Sequence, residues 1–354
     1  MDDLRIRPFG GTDAEYRAIA AIERACIEDS DSDPEAWKHS DRIRGRHLLQ
    51  RRYVGELDDG IVASGFLCQP EWSFEPGKYF LHGSVLPEYH GQGFLARMCR
   101  HIMDEVAPLE PRLLTTTARI EEKERLAFLD AHGFEEVMRF PVSHLELSTF
   151  DVEPFADQLA AVRRADLRVV SLATWIEEME ARAPGSAGGS GAVPWQRRMY
   201  DLCWTLATDV PQPSPSTPMP FDQWVASELE GPGFVTDAWF IALDGDAWVG
   251  VTHLVARPFL DQWPVGLTGV LRSHRRRGLA TALKVASVEY ARDVGLRRLV
   301  TYNEEDNPIL GLNRRLGFHH RSTVIYLEKP LRQGCAEVVV EEPAAVGAVM
   351  VENV

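Results

Sequence analysis

The chain is poor in basic residues: 38 Lys and Arg stand against 53 Asp and Glu, a formal net charge of −15 over 354 residues. A nucleic-acid partner would meet a repulsive field, so none is expected. Long apolar runs are also missing. No stretch reaches the roughly 18 apolar residues of a membrane span, and no membrane partner is expected. Cysteine is sparse, and Cys26, Cys68, Cys99, Cys203 and Cys335 lack C-x-x-C spacing. They read as reduced, mostly buried thiols, with no metal site and no disulfide framework. The opening Met1-Asp2-Asp3-Leu4-Arg5 is acidic where a secretory leader is basic and then apolar, so a cytoplasmic location is expected.

What remains is ordinary globular material: 45% hydrophobic and 26% charged residues, in a length that suggests two domains. The most telling stretch is Arg275-Arg276-Arg277-Gly278-Leu279-Ala280. An apolar run ending in Val270-Leu271 precedes it, a helical pattern follows, and Leu316-Gly317-Phe318 comes about 40 residues later. About 185 residues upstream the order recurs, with Val85-Leu86, then His90-Gly91-Gln92-Gly93-Phe94-Leu95, then Gly133-Phe134. One fold used twice is the natural reading.

The flanking patterns agree. Leu4–Pro8 reads as a strand, and Thr12-Asp13 opens a helix carrying Ile19, Ile22 and Ile27. Residues 33–44 read as a second helix. Asp58-Asp59-Gly60 and Asp244-Gly245-Asp246 each join two apolar runs as a hairpin, at similar offsets from the two glycine turns. Further strands are expected at 79–86, 112–116, 265–271, 297–302 and 322–327, with two more between Gly133 and Leu147. Helices are expected at 91–106, 121–131, 277–294 and 308–316. Residues 184–191 are Gly- and Ser-rich, residues 211–220 form a proline-rich loop, and Phe221-Asp222-Gln223-Trp224 reads as a short helix. The expected division is residues 1–150, residues 151–330, and a tail over 331–354 with no assigned structure.

A turn rich in backbone N–H groups at a helix N-terminus is an anion site, because unpaired donors and the helix dipole face one way. Gly278 permits close approach, Ala280 leaves the contact uncrowded, and Arg275, Arg276 and Arg277 add charge. The plainer alternative is a basic helix start on a solvated face.

The stretch Leu267–Phe318 resembles the acyl-CoA-binding core of the GNAT N-acetyltransferase superfamily, whose Q/R-x-x-G-x-G/A turn cradles the CoA pyrophosphate. The likeness implies an α/β fold with a mixed sheet, two GNAT-like domains in tandem, and acetyl-CoA as co-substrate. It is closer over residues 236–328 and looser over residues 4–147. The plan of a weak first half and a strong second is similar to tandem GNAT proteins, mycothiol synthase among them. Carried over, Val270 and Leu271 would pair with pantetheine. The N–H groups of Arg275, Arg276, Arg277, Gly278, Leu279, Ala280 and Thr281 would hold the phosphates, and Asn303 and Asn307 would be polar CoA contacts.

An amine attacking a thioester needs its proton removed and a donor for the developing oxyanion. The expected oxyanion donor is a backbone N–H near Leu271. Candidates for the base are Glu304, Glu305, Asp306 and His253, although the acidic trio also reads as a loop capping the next helix. Many family members carry a tyrosine as general acid where this chain has Asn313, with Tyr302 the substitute from the neighbouring strand end. In the first half Leu95 stands at the Ala280 position and is expected to crowd the phosphates, so catalysis is expected in the second half. The acceptor implied is a small-molecule amine, and the assembly a monomer or homodimer. One alternative stays open, a non-catalytic acyl-CoA-binding or regulatory protein; a reading of Arg272–Arg277 as a nucleic-acid patch is disfavoured, because the basic run leads into a glycine turn in an acidic chain.

Overall fold

A computed structural model describes residues 4–182 and 194–331, apart from residues 28, 29, 31, 46 and 59. The Gly- and Ser-rich stretch, Cys335, the tail and Asp59 of the first hairpin turn lie outside the described residues. The chain forms two compact units. One holds the described residues of Met1–Phe140, Pro213–Thr217 and Ser322–Val354; the other holds those of Pro141–Gln212 and Pro218–Arg321. No single cut near residue 150 separates them, because each unit completes its sheet with a strand from the opposite half of the sequence.

The first unit begins with β1 (Arg5–Pro8), α1 (Asp13–Cys26) and α2 (Pro34–Ile43). Thr12 caps α1 through a reciprocal bond with Glu15, and Asp33 caps α2 with Pro34 at its first turn. Then come β2 (Gln50–Leu57), β3 (Gly60–Cys68), β4 (Lys78–Val85), α3 (Phe94–Val106), β5 (Leu113–Arg119), α4 (Lys123–Ala131) and β6 (Glu135–Glu146). β1 to β4 pair antiparallel in chain order, and β4 pairs parallel with β5.

The second unit continues with α5 (Ala156–Arg164), β7 (Leu167–Ser171), α6 (Leu172–Arg182), α7 (Trp195–Ala207), α8 (Phe221–Trp224), β8 (Trp239–Asp244) and β9 (Ala247–Leu254). It proceeds through β10 (Gln262–Val270), α9 (Leu279–Asp293), β11 (Arg298–Tyr302) and α10 (Ile309–Arg315) to β12 (His319–Pro330). β7 to β10 pair antiparallel in order, and β10 pairs parallel with β11. The sixth strand is the exchanged one. β5 is flanked by Val324–Pro330 of β12, and β11 by Val142–Glu146 of β6. Strand for strand the two sheets have one plan, which is the duplication.

The two strands expected between Gly133 and Leu147 are one, β6. Pro141, which lacks an N–H, lies within it. It stands where the strand leaves one unit for the other, and its carbonyl accepts the N–H of Asn303. Helix α5 was not expected; Leu159 and Val162 on it pack against Leu279 and Leu283 of α9. The buried residues of α9 (Leu279, Leu283, Val285, Val288 and Ala291 among them) join two apolar clusters. Each such Leu or Val contributes about 1.5–3 kcal/mol of burial, which holds the turn before α9 firmly in place.

Candidate active site

The parallel ladder between β10 and β11 is short. Gln262, Trp263 and Pro264 face Arg298, Leu299 and Val300, and no register continues beyond them. The strands diverge there, and Gly266, Leu267, Thr268 and Gly269 are half-exposed along the opening. Leu271 N–H donates to the carbonyl of Val249 at 2.8 Å. Alternation along an antiparallel strand therefore turns the peptide groups of Val270 and Thr268 toward the opening. This corrects the expected oxyanion donor. The N–H of Leu271 belongs to the sheet, and that of Val270 faces the slot.

The turn follows. Arg276 has φ +66 and Gly278 has φ +87, and Gly278 caps α9 from the left-handed region. In the first unit Gly91 (φ +75) and Gly93 (φ +77) repeat the pair. Arg275, Arg276 and Arg277 are exposed, whereas Leu279 and Thr281 are buried. A Cβ on Gly278 would meet Gln158 Cγ at 3.0 Å and Val162 Cγ2 at 3.1 Å, so α5 lies against the turn. Gln158 thus borders the site, and no signal in the sequence marks it.

The arginines do not act alike. Arg275 donates its Nε to the carbonyl of Val270 at 3.0 Å and pairs with Asp209, as Arg272 also does. Arg272 first, then Arg275, hold the Asp209 carboxyl below its usual range. Arg277 reaches Asp244 at 3.5 Å, beside His274 at 3.1 Å. Among the described residues Arg276 alone of the three consecutive arginines makes no ion pair. Arg272, Arg275, Arg276 and Arg277 exceed the two carboxylates that face them, so the turn stays net positive.

Past the divergence, Asn303 accepts from Thr301 Oγ1 (3.2 Å) and from Asn313 Nδ2 (2.8 Å). Asn313 is 1% exposed, and its Oδ1 has no partner among the described residues. Strand alternation puts Tyr302 on the opposite face of β11 from this group, so it does not occupy the place of Asn313. Asn307 Oδ1 accepts the N–H of Ile309 at 3.0 Å, closing a local turn that leads into α10. Glu304 is buried; its Oε1 accepts the N–H of Asp306 at 3.0 Å, while Oε2 has no partner among the described residues. Glu305 and Asp306 are exposed.

His253 is stacked on Trp239, centroids 3.9 Å apart and planes 5° apart, and burial lowers its pKa to about 3. It carries no proton at neutral pH and is too weak a base to take one. Lys284 on α9 is 1% exposed with its Nζ 5.4 Å from the centre of the Phe318 ring, and burial brings its pKa down to about 7. Nothing in the sequence pattern singles it out, since it occupies an ordinary helix position.

The first unit has the same divergence, the β4–β5 ladder ending at Phe80–Thr115, but its own side chains occupy the polar groups there. The carbonyl of Val85 accepts from His90 Nε2 (2.9 Å) and Cys26 Sγ (3.2 Å). Arg125, 3% exposed, donates to the carbonyl of Thr117 at 2.8 Å. Residues Leu81–Val85 are all buried. Leu95 does not crowd the turn as expected. It is 5% exposed within the core cluster of the first unit.

Among the described residues no group of three or more His, Cys, Asp or Glu side chains is placed to hold a metal ion, and no helix is long and apolar enough to cross a membrane. No curated protein matches the chain by sequence. Residues 197–318 match the model of the acetyltransferase (GNAT) family. Among solved structures, a GCN5-related N-acetyltransferase from Sphaerobacter thermophilus superposes with a TM-score of 0.61 at 20% identity, over 94% of this chain and 97% of that one. A tandem GNAT protein from the clavulanic acid biosynthesis pathway gives 0.66 at 18% identity, over 93% and 98%. The chain thus has the fold of tandem GNAT proteins, and its residues 197–318 match the GNAT family model.

Proposed function

We propose that the chain is an acyl-CoA-dependent N-acyltransferase whose second unit moves an acetyl group from acetyl-CoA to the primary amine of a small molecule. The observation that carries this is the half-exposed edge of β10, which diverges from β11 and runs into a net-positive turn at the start of α9. Backbone N–H groups from Arg276 to Thr281 would hold the diphosphate, with Arg276 as its uncommitted cation. The slot-facing peptide group of Thr268 would pair with the pantetheine arm, which leaves the Val270 N–H for the thioester. The first unit is more closed among the described residues: Leu81–Val85 are all buried, Arg125 takes the Thr117 carbonyl, and Cys26 joins His90 on that of Val85.

In the reaction the amine nitrogen bonds to the thioester carbon, and the Val270 N–H receives the negative oxygen. Collapse breaks the carbon–sulfur bond. The proton lost by the amine passes to Glu304, directly or through water, because its Oε2 is buried without a donor among the described residues. Asn313 cannot supply an acid. The thiolate leaves ionised and takes its proton from solvent, since a thiol, with a pKa of about 8.5, is acidic enough to depart that way.

The test is release of free thiol from acetyl-CoA over a panel of small primary amines, with the N-acetyl product identified by mass. Turnover on one or more amines supports the reading. Asn313 in place of an acid favours one rival, a non-catalytic acyl-CoA-binding protein, and CoA binding without turnover on any amine would establish it. Failure to bind CoA defeats both.

A further inference from the structure

Lys284 is 1% exposed, and among the described residues its ammonium makes no ion pair and no hydrogen bond. Burial is the one cause of its lowered pKa: no charged group on α9, α10, β6 or the end of β11 contributes, Glu304, Arg314 and Arg315 included. A buried cation without a partner destabilises a fold, and an apolar residue of the same volume would not. Such a group is a candidate for work done once a ligand is present.

Its place follows from the helix. α9 is the crossover between the parallel strands β10 and β11, and it runs back over them from the turn. Lys284 lies six residues past Gly278, about 9 Å along the axis at about 1.5 Å per residue. At about 3.3 Å per residue, that depth spans roughly three residues of β10 counted back from its end at Val270, short of the closed ladder at Pro264. The preceding residue fixes the level, since a Cβ on Gly250 would meet Val270 Cγ2 at 3.1 Å and Leu283 Cδ1 at 3.2 Å.

One residue further round the helix, Lys284 turns from β9 toward α10, where its Nζ lies 5.4 Å from the centre of the Phe318 ring. The N–H of Phe318 donates to the carbonyl of Asn313 at 3.0 Å, and Asn313 Nδ2 donates to Asn303 at 2.8 Å. The ammonium therefore stands beside the open part of the slot, between the Val270 edge and the Asn303–Asn313 pair.

We infer that the Lys284 ammonium receives the negative sulfur released in the slot, a charge contact from α9 where α10 offers only the amide of Asn313. The inference rests on the proposed function. As the carbon–sulfur bond breaks, its electron pair stays on sulfur and an Nζ–H donates to the thiolate. The ammonium keeps its proton, and solvent later supplies that of the thiol. The thiolate in turn favours the charged form of the lysine.

The experiment binds CoA, the product thiol, to the full chain and follows its ultraviolet thiolate absorbance against pH. The bound thiol should titrate about one unit or more below its ordinary value of about 8.5. In Lys284→Met it should titrate at or above that value. Desulfo-CoA, which lacks the sulfur, should bind both proteins with equal affinity by calorimetry. With an accepted amine, Lys284→Met should lower kcat about 100-fold and leave the KM for acetyl-CoA within about twofold. Should that variant fold poorly, the titration in the unmodified chain decides. A bound thiol that titrates at its ordinary value, a shift that survives in Lys284→Met, an unchanged kcat in that variant, or an acetyl group found on Lys284 itself would each overturn the inference and leave the acyl-transfer reading standing. A chain that does not bind CoA would overturn both.

Discussion

Arg275 holds the carbonyl of Val270 at 3.0 Å, and His90 holds that of Val85 at 2.9 Å in the first unit. The same strand-end carbonyl is thus tied to the same turn position twice, by different side chains. The first arginine of the turn therefore positions, and charge for a phosphate must come from elsewhere. Lysine lacks the directed Nε–H, so Arg275→Lys should loosen the turn. We expect CoA affinity to fall about tenfold and stability by only about 1 kcal/mol, read by calorimetry and thermal melting.

Arg276 tests the opposite property. Its φ of +66 is strained for a residue with a Cβ, and glycine stands at the matching place, Gly91. Arg276→Gly should raise stability by about 1 kcal/mol and weaken CoA binding several-fold, about 1 kcal/mol, through the lost charge. Unchanged CoA affinity would remove the phosphates from this turn.

Gly266 touches the wall of the slot. A Cβ there would fall 2.0 Å from His253 Nε2, in a ring already pressed on Trp239. Gly266→Ala should cost about 3 kcal/mol or more, and adding His253→Ala should recover part of it, since contacting sites are not additive. Chemical denaturation of the single and double variants measures the coupling.

Lys284 makes stability depend on pH. Its folded pKa of about 7 lies below the ordinary lysine value, so the unfolded chain binds more protons between about pH 7 and pH 10.5. The cost of burying the ammonium is full below pH 7 and fades as pH rises to about 10.5. Lys284→Met should therefore stabilise the protein by about 1–3 kcal/mol near pH 6 and by much less near pH 10. A gain that does not change with pH would show that Lys284 keeps its proton throughout.

Glu304→Gln keeps the shape of the side chain and removes its basicity. Turnover of acetyl-CoA with an accepted amine should fall about 100-fold at neutral pH, with CoA affinity unchanged. A fall in CoA affinity without loss of turnover at saturation would assign Glu304 to binding.

Local chemistry was legible in the sequence. The helix start at Thr12-Asp13, the Asp-Gly hairpin at 244–246 and the short helix at Phe221–Trp224 depend on a few adjacent residues, and the structure has each. What escaped was decided at a distance. Pro141 breaks a strand by local rules, yet β6 runs through it because the strand changes partners there. Leu95 points into the core because the first helical turn after Gly93 faces the sheet, which a motif alignment does not reveal. The direction of the Leu271 N–H depends on its bond to Val249, twenty-two residues earlier in the sequence. Glu304, by contrast, stood among four candidates; burial separates it from the exposed Glu305 and Asp306, and the low pKa of His253 weakens that ring as a base.

The exchanged strands bear on how the protein is made. When a ribosome has released residues 1–150, β5 has no neighbour on one side, because Val324–Pro330 does not yet exist. That open strand is a template for the wrong partner during synthesis, and it persists until nearly the whole chain has emerged. A gene cut at codon 150 would yield two fragments that are each sticky alone and reconstitute when expressed together.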